Sequence, residues 1–227
     1  MYIQKIQIKY KFLIIFLSLL TFIPAGFSQE QPFAHEINQF RVSDSLNPPP
    51  QNAILFVGSS SFRMWSEVQR YFPGYTIINR GFGGSSIPDL IRYAEVVIFP
   101  YDSKQIVIYC GENDLAASDT VTGEMVAQRF IVLFNMIREK LPGVPVIYIS
   151  MKPSPSRWHL SEKMITGNNT IKDFLVSQKN ASFVNIWEDM MNDRLQPDSS
   201  LFLEDMLHMN EKGYRIWQQA IEPELIR

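Results

Sequence analysis

Short apolar runs alternate with longer amphipathic segments from residue 53 to near the C-terminus. The runs are rich in Ile, Val, Phe and Tyr and are almost continuously apolar, which is typical of strands buried on both faces of a parallel sheet. We predict five such strands: Ala53–Val57, Tyr75–Asn79, Gln105–Cys110, Val144–Ser150 and Ser182–Ile186.

The segments between these runs have the length and periodicity of crossover helices. We predict five helices: Phe62–Tyr71, Ile87–Phe99, Gly123–Leu141, Ser161–Lys179 and Asn210–Ile221. Strands that alternate with helices predict a three-layer α/β/α sandwich around a five-stranded parallel sheet. In such sheets ligands bind beyond the carboxyl ends of the strands.

The N-terminal segment has the pattern of a secretory signal peptide. Three lysines precede an apolar run at residues 12–23, Pro24 ends that run, and small residues follow it. A bilayer-spanning helix needs about 20 apolar residues, so we predict cleavage after Ser28. The mature protein would then be exported to the periplasm or the extracellular space, without stable membrane insertion. An uncleaved N-terminal anchor is the alternative.

The rest of the chain divides into an extension, residues 29–52, and one domain, residues 53–227. Pro48-Pro49-Pro50 predicts an extended linker, and residues 33–46 predict a short helix packed on the domain. A hydrophobic content of 46% supports one substantial core. Cys110 is the single cysteine, so no internal disulfide can form.

Charge argues against a nucleic-acid partner. Loss of residues 1–28 removes three of the 21 basic residues and none of the 23 acidic ones, so the formal charge changes from −2 to −5. Phosphate binding requires basic surface. The sequence predicts no oligomeric state.

Polar clusters follow the first three predicted strands. They are Gly58-Ser59-Ser60-Ser61, residues 79–86 and Gly111-Glu112-Asn113-Asp114. The carboxyl ends of parallel strands share one edge of a sheet, so we expect these clusters to meet there. A serine on a strand-to-helix turn is a candidate nucleophile, and glycine N–H groups and an Asn amide are candidate donors to an oxyanion.

A serine hydroxyl needs a general base, and an imidazole base needs a group that orients it. The chain has three histidines, at positions 35, 159 and 208. His208 ends the segment Asp205-Met206-Leu207-His208 and lies 148 residues after Ser60. This segment supplies a base and a carboxylate together.

These segments resemble the blocks of the GDSL, or SGNH, hydrolase superfamily, in the family's order. Gly58-Ser59-Ser60-Ser61 resembles the first block, normally Gly-Asp-Ser, and residues 79–84 resemble the second. Gly111-Glu112-Asn113-Asp114 resembles the third block, Gly-x-Asn-Asp, and residues 205–208 resemble the last, Asp-x-x-His. Within the superfamily, the chain is similar to the platelet-activating-factor acetylhydrolase-like subgroup and to many secreted bacterial esterases.

The resemblance implies a flavodoxin-like SGNH fold, acyl-ester hydrolysis and no cofactor or metal. It implies Ser60, Asp205 and His208 as the catalytic residues, and Ser60, Gly84 and Asn113 as the oxyanion hole. Ser59 stands where the family has Asp. That Asp is not part of the family's triad, so the catalytic set is complete.

Other readings of the same residues remain open. Gly58-Ser59-Ser60-Ser61 could be a helix cap, and residues 81–86 weakly resemble a dinucleotide fingerprint. Asp205 and His208 could bind a metal together with Glu112 or Asp114. For the whole chain, the alternatives are a non-catalytic carbohydrate-binding relative or an acyltransferase with an alcohol acceptor.

Three residues beside the blocks are candidates for substrate binding. Arg63 and Arg80 flank the serine and glycine turns and could bind an anionic group, although a salt bridge is the alternative for each. Trp158 could stack on a substrate. Export and a site at the rim of the sheet favour short acyl esters of carbohydrates or small lipids. No lid-like apolar insertion separates the blocks, which argues against long-chain triglycerides as substrates.

Overall fold

Five parallel strands form the centre of the computed structural model, which describes residues 31–227. The predicted signal peptide, residues 1–28, lies outside the described residues. The strand order is β2-β1-β3-β4-β5, as in flavodoxin-like folds. The strands are β1 Ala53–Gly58, β2 Ile77–Gly81, β3 Ser103–Tyr109, β4 Val146–Ile149 and β5 Ala181–Val184.

Helices connect the strands and cover the sheet. They are α1 Ala34–Leu46, α2 Ser60–Met64, α3 Val68–Tyr71, α4 Ile87–Val97, α5 Glu112–Ala116, α6 Gly123–Lys140, α7 Ser161–Val176 and α8 Glu211–Ile221. Short 3-10 segments lie at Pro155–Leu160, Glu188–Met190, Ser199–Leu201 and Glu222–Glu224. Within residues 31–227, no helix combines the length and apolarity needed to cross a bilayer.

Alternate residues of each strand face two separate cores. Leu55 of β1 and Ile108 of β3 pack with α1, α4, α6 and α7. Phe56 and Val107 face the other side and pack with α2, α3 and α8. The sheet is therefore buried on both faces, and the predicted three-layer α/β/α sandwich is confirmed.

The helices of the structure differ from the predicted ones in two places. The segment predicted as one helix, Phe62–Tyr71, is two short helices, because Trp65 leaves the helical region with φ −80° and ψ 56°. This break allows the Trp65 indole to be buried against Tyr214, with ring centroids 4.8 Å apart. Helix α5 was not predicted, because a five-residue helix shows no clear periodicity.

Helix α1 belongs to the compact unit that comprises Phe33–Arg227. Its residue Ile37 is buried in the core shared with α4. Asp44 accepts a hydrogen bond from the Tyr101 hydroxyl at 2.7 Å and forms an ion pair with Arg80. Residues 34–46 thus form the short packed helix that the sequence predicted within the extension.

Gly58 ends β1 where β3 approaches most closely. A β-carbon at this position would lie 2.0 Å from the carbonyl oxygen of Tyr109, which is backbone and cannot rotate away. We expect Gly58→Ala to lower the free energy of unfolding by more than about 2 kcal/mol, since overpacking a rigid site costs roughly 1–3 kcal/mol or more. Urea denaturation measures this loss.

Gly143→Ala is the matched control, because Gly143 is exposed and a β-carbon there would meet nothing within 4 Å. Its unfolding free energy should stay within about 0.5 kcal/mol of the wild type. Equal stability of the two variants would contradict the close approach at Gly58.

Candidate active site

Ser60 lies on the tight turn between β1 and α2. The N–H of Ser59 donates to the Tyr109 carbonyl at 3.0 Å, and the N–H of Phe82 donates to the Gly58 carbonyl at 3.0 Å. These bonds fix the turn between β3 and the loop after β2. Ser59 and Ser61 are buried, whereas Ser60 is partly exposed. Of the three candidate serines, Ser60 is the one whose side chain reaches the surface.

His208 and Asp205 form a hydrogen-bonded chain with Ser60. The Ser60 Oγ lies 2.9 Å from His208 Nε2, and His208 Nδ1 lies 2.5 Å from Asp205 Oδ2. The ionised carboxylate can only accept, so Nδ1 carries the proton and Nε2 is left to accept the proton of the serine hydroxyl. The last of the sequence blocks and the first therefore meet in space.

The Asp205 carboxylate is fixed by several donors. Its Oδ1 accepts the N–H groups of Leu207 and His208, each at 2.9 Å. Partial burial opposes ionisation of Asp205, but the bonds from the His208 ring and from these N–H groups outweigh it and lower its pKa to about 2. Asp205 is thus ionised at neutral pH and can orient an imidazole.

The loop that carries Asp205 and His208 is tied to its surroundings. Leu203 N–H donates to the His208 carbonyl at 2.8 Å, and Met206 takes a left-handed conformation with φ 54°. Ser156, in the 3-10 segment Pro155–Leu160, donates its N–H to the Met206 carbonyl at 3.1 Å. The turn that carries His208 is therefore held by the loop that follows β4 as well as by its own hydrogen bonds.

Three hydrogen-bond donors lie near the same edge of the sheet. Asn113 Nδ2 donates to the Ser85 carbonyl at 2.9 Å, which joins α5 to the loop containing Gly84. Gly84 has φ +77°, a conformation that favours glycine. Within residues 31–227, the N–H groups of Ser60 and Gly84 donate to no acceptor.

The acidic neighbours of Asn113 have partners of their own. Asp114 accepts the Ile87 N–H at 2.9 Å and a hydrogen bond from Arg129 at 2.8 Å, which fixes the start of α4. Burial nevertheless raises the pKa of Asp114. Glu112 is buried and forms an ion pair with Lys152 at 2.9 Å.

These contacts bear on the metal and nucleotide interpretations. The carboxylates that could have completed a metal site are bonded to cations, and residues 31–227 contain no group of three or more His, Cys, Asp or Glu side chains placed to hold a metal ion. His35 and His159 are both exposed. Ser86, in the weak dinucleotide pattern, instead forms a capping box with Asp89 at the start of α4.

The helix-cap interpretation of the serine turn fits the position of Ser59 but not its side chain. Ser59 occupies the N-cap position of α2, but its side chain makes no capping hydrogen bond. Its backbone carbonyl accepts instead from the N–H groups of Phe62 and Arg63, at 3.0 and 3.2 Å.

The two candidate arginines form ion pairs. Arg63 Nε lies 2.8 Å from Glu36 of α1, and Arg80 is bonded to Asp44 and to the Tyr101 hydroxyl. The Arg80 side chain is only 14% exposed, so it has little surface to offer a ligand.

Trp158 is partly exposed and lies beside Trp187, with ring centroids 6.1 Å apart. Within residues 31–227, no hydrogen bond or ring contact joins Trp158 to Ser60 or His208. A substrate role for Trp158, Arg63 or Arg80 stays a prediction.

Sequence reasoning missed Lys152 and Arg157. Lys152 is 1% exposed and lies just beyond β4, at the edge where Glu112 follows β3. Opposite charges at the ends of adjacent buried strands were the signal that could have found this pair. Arg157, which contacts Asn113, lies 44 residues away in the sequence and had no local signal.

A hydroxyl bonded to an imidazole at the carboxyl edge of a parallel sheet defines the class of α/β serine hydrolases. Residues 54–216 match the sequence profile of the GDSL-like lipase/acylhydrolase family, and the chain belongs to this family. It is a serine ester hydrolase, as the sequence blocks predicted. No curated protein sequence shows a significant match to the chain.

Several solved structures are similar to this one. A Streptococcus pneumoniae protein described as a platelet activating factor has a TM-score of 0.73 at 19% identity, over 85% of this chain and 92% of its own. A GDSL-like lipase from Bacteroides thetaiotaomicron has a TM-score of 0.70 at 20% identity, over 83% of this chain and 96% of its own.

The acetylxylan esterase Axe2 from Geobacillus stearothermophilus has a TM-score of 0.61 at 15% identity, over 78% of this chain and 94% of its own. At these identities the likenesses establish the shared fold.

The role of the Asp205 carboxylate can be tested by replacing it with its neutral isostere, the amide of asparagine. Asp205→Asn should lower kcat by roughly 10³–10⁴, because an amide can present a donor to His208 and favour the wrong tautomer. The pKa of about 2 leaves Asp205 ionised at neutral pH, so a measurement at pH 7 compares the full carboxylate with the amide. Steady-state ester hydrolysis measures the loss of kcat.

Asp193→Asn is the control, because Asp193 is an exposed loop carboxylate. It should retain the wild-type rate. An Asp205→Asn variant as fast as this control would show that the Asp205 carboxylate does not contribute to turnover.

Proposed function

We propose that this chain hydrolyses short-chain acyl esters by a two-step acyl transfer, with Ser60 as nucleophile, His208 as general base and Asp205 as the orienting carboxylate. One observation carries the proposal. The Ser60 hydroxyl, the His208 ring and the Asp205 carboxylate form a continuous chain of hydrogen bonds of 2.9 and 2.5 Å. Such a chain raises the nucleophilicity of a hydroxyl that is otherwise unreactive.

In the acylation step, Ser60 Oγ attacks the ester carbonyl carbon as His208 Nε2 takes the hydroxyl proton. The carbonyl oxygen becomes an oxyanion, which accepts from the N–H groups of Ser60 and Gly84 and from Asn113 Nδ2. Asp205 stabilises the imidazolium that forms. The intermediate then collapses, and His208 returns the proton to the leaving alcohol oxygen.

In the deacylation step, water takes the place of the alcohol. His208 Nε2 removes one proton from the water as its oxygen attacks the acyl carbon, and the same donors hold the second oxyanion. Collapse of this intermediate releases the carboxylic acid and returns the proton to Ser60. The cycle uses side chains and backbone of this chain alone.

Two grooves beside the site support short acyl groups on polar alcohols. The Asp205 groove has a volume of about 390 Å³ and is lined by polar residues such as Asp205 and His159 and by apolar ones such as Leu160 and Leu207. Its polar side could bind a sugar hydroxyl.

The Met64 groove has a volume of about 500 Å³ and is lined by the apolar side chains of Met64 and Leu203 together with charged ones such as Glu67 and Arg215. Met64 and Leu203 are about 40% exposed, at 42% and 40%, which suits a small apolar group better than a long buried chain.

The similarity to an acetylxylan esterase makes acetylated glycans the first substrates to test. Export after cleavage behind Ser28 is part of the same proposal, because it would give the enzyme access to external glycans.

The nucleophile can be identified by covalent labelling. A fluorophosphonate probe should label the wild type and Ser61→Ala, but not Ser60→Ala, since only an activated serine reacts. Ser61→Ala is the matched control because Ser61 adjoins Ser60 but is 2% exposed. Intact-mass spectrometry reads the adduct, and circular dichroism checks the fold of each variant.

Loss of labelling in Ser61→Ala with full labelling in Ser60→Ala would identify Ser61, rather than Ser60, as the nucleophile. An unreactive wild type would instead favour the carbohydrate-binding alternative.

The acyl preference can be measured on a series of p-nitrophenyl esters. We expect kcat/KM to fall progressively from acetyl to octanoyl, with acetylated xylo-oligosaccharides also deacetylated, because the grooves are small and open. Ser60→Ala supplies the background rate. A rise of kcat/KM toward octanoyl would contradict the short-chain assignment, and transfer of the acetyl group to an added sugar would reveal an acyltransferase.

A further inference from the structure

We propose that Arg157 is a positioning residue that fixes the amide of Asn113, so that its nitrogen rather than its oxygen faces the oxyanion. This inference rests on the proposed function. Arg157 does not touch the reacting atoms, and it acts through Asn113.

An asparagine amide has a donor end and an acceptor end of nearly the same shape. Only the donor end stabilises an oxyanion, because the carbonyl oxygen of the amide would repel it. An Asn in an oxyanion hole therefore needs neighbours that distinguish the two ends.

Two neighbours of Asn113 make this distinction. Arg157 Nη2 donates to Asn113 Oδ1 at 2.8 Å, and Asn113 Nδ2 donates to the Ser85 carbonyl at 2.9 Å. A guanidinium only donates and a carbonyl only accepts, so both contacts fail if the amide turns over. One hydrogen on Nδ2 then remains for the substrate oxyanion.

Arg157 is itself held in place. Its Nη1 lies 3.4 Å from Glu112 Oε2, and its backbone N–H donates to the Ser154 carbonyl at 3.2 Å. The side chain is 18% exposed, so its guanidinium is largely enclosed. A fixed guanidinium is needed if the amide is to have a single orientation.

Glu112 does not require Arg157 for charge balance. Lys152 Nζ lies 2.9 and 3.1 Å from the two Glu112 oxygens, and the Lys152 backbone N–H also donates to Glu112 at 3.1 Å. Burial opposes ionisation of Glu112, but Lys152 and then Arg157 outweigh it and lower its pKa. Since Lys152 already neutralises the carboxylate, the contact with Asn113 is what explains the place of Arg157.

The segment of Arg157 also reaches the base. Ser156, the preceding residue, donates its N–H to the carbonyl of Met206, which lies between Asp205 and His208. One short segment therefore supports both the oxyanion donor and the loop of the general base.

The test compares Arg157→Met with Asn113→Ala and with the double variant, using p-nitrophenyl acetate. Asn113→Ala should lower kcat by about 10²–10³, the usual loss for one oxyanion donor. Arg157→Met should lower kcat by about 10-fold to 100-fold with KM within about twofold, since displacing a donor by about 1 Å weakens the transition state rather than substrate binding.

The double variant distinguishes positioning from a general structural role. If Arg157 acts through Asn113, adding Arg157→Met to Asn113→Ala should lower kcat by less than about a further twofold. The proposal would be overturned if the kcat loss of the double variant equalled the product of the two single losses. It would also be overturned if the kcat of Arg157→Met stayed within about twofold of the wild type.

Arg157→Lys provides a variant that keeps a cation beside Glu112. A single ammonium cannot reproduce the two-ended contact of the guanidinium, so we expect a kcat loss between the wild type and Arg157→Met. If Arg157→Met does not fold, an Arg157→Lys kcat equal to the wild type overturns the proposal, and a reduced kcat that vanishes in the Asn113→Ala background supports it.

Arg129→Met is the matched control, because Arg129 is bonded to Asp114, the residue after Asn113. It should lower the melting temperature but keep kcat within about twofold. Ser60→Ala separates the two proposals. An active Ser60→Ala refutes the proposed function itself, whereas an inactive Ser60→Ala with an unaffected Arg157→Met refutes only the role of Arg157.

Discussion

The close contact between the ends of β1 and β3 is the constraint on which the site depends. Gly58 leaves room for the Tyr109 backbone, and the Tyr109 carbonyl accepts the N–H of Ser59, which directly precedes Ser60. The Tyr109 hydroxyl donates to Glu112, which pairs with buried Lys152. Tyr109 of β3 thus supports the serine turn with its backbone and the Glu112–Lys152 ion pair with its side chain. The turn and the ion pair lie at one edge of the sheet because the carboxyl ends of parallel strands share that edge.

Helix α1 lies outside the residues that match the family profile, yet it contacts the same edge. Glu36 accepts the Gly83 N–H at 3.3 Å and pairs with Arg63 at 2.8 Å, so it joins the loop before Gly84 to the helix that carries Ser60. Asp44 bonds Arg80 farther along the helix. An exposed ion pair alone contributes little stability. Here Ile37 is buried in the core, and the ion pairs join the helix to Arg63 of α2 and to Arg80 of β2.

The sequence predicted the parts of the structure that are local. Buried parallel strands are continuous apolar runs, and the four blocks follow strand ends or a single turn, so their positions could be inferred without coordinates. The break at Trp65 could not, because it depends on packing against Tyr214, almost 150 residues later. The Arg157 contact depends likewise on where the loop after β4 folds back. Such contacts leave no periodicity in the sequence, and only the opposite charges of Glu112 and Lys152 at adjacent strand ends gave a hint.

Ser59 shows why a departure from the family pattern need not disturb the site. The turn is held by the backbone of Ser59, whose N–H donates to the Tyr109 carbonyl and whose carbonyl accepts the N–H of Phe62. The backbone of Ser59, rather than its side chain, therefore positions Ser60. The neutral side chain of Ser59 also adds no negative charge beside the proposed oxyanion. The nearby carboxylate of Glu112 is neutralised by Lys152, and that of Asp205 is bonded to His208. The proposed oxyanion would therefore form beside negative charges that already have partners, which is the charge balance that it requires.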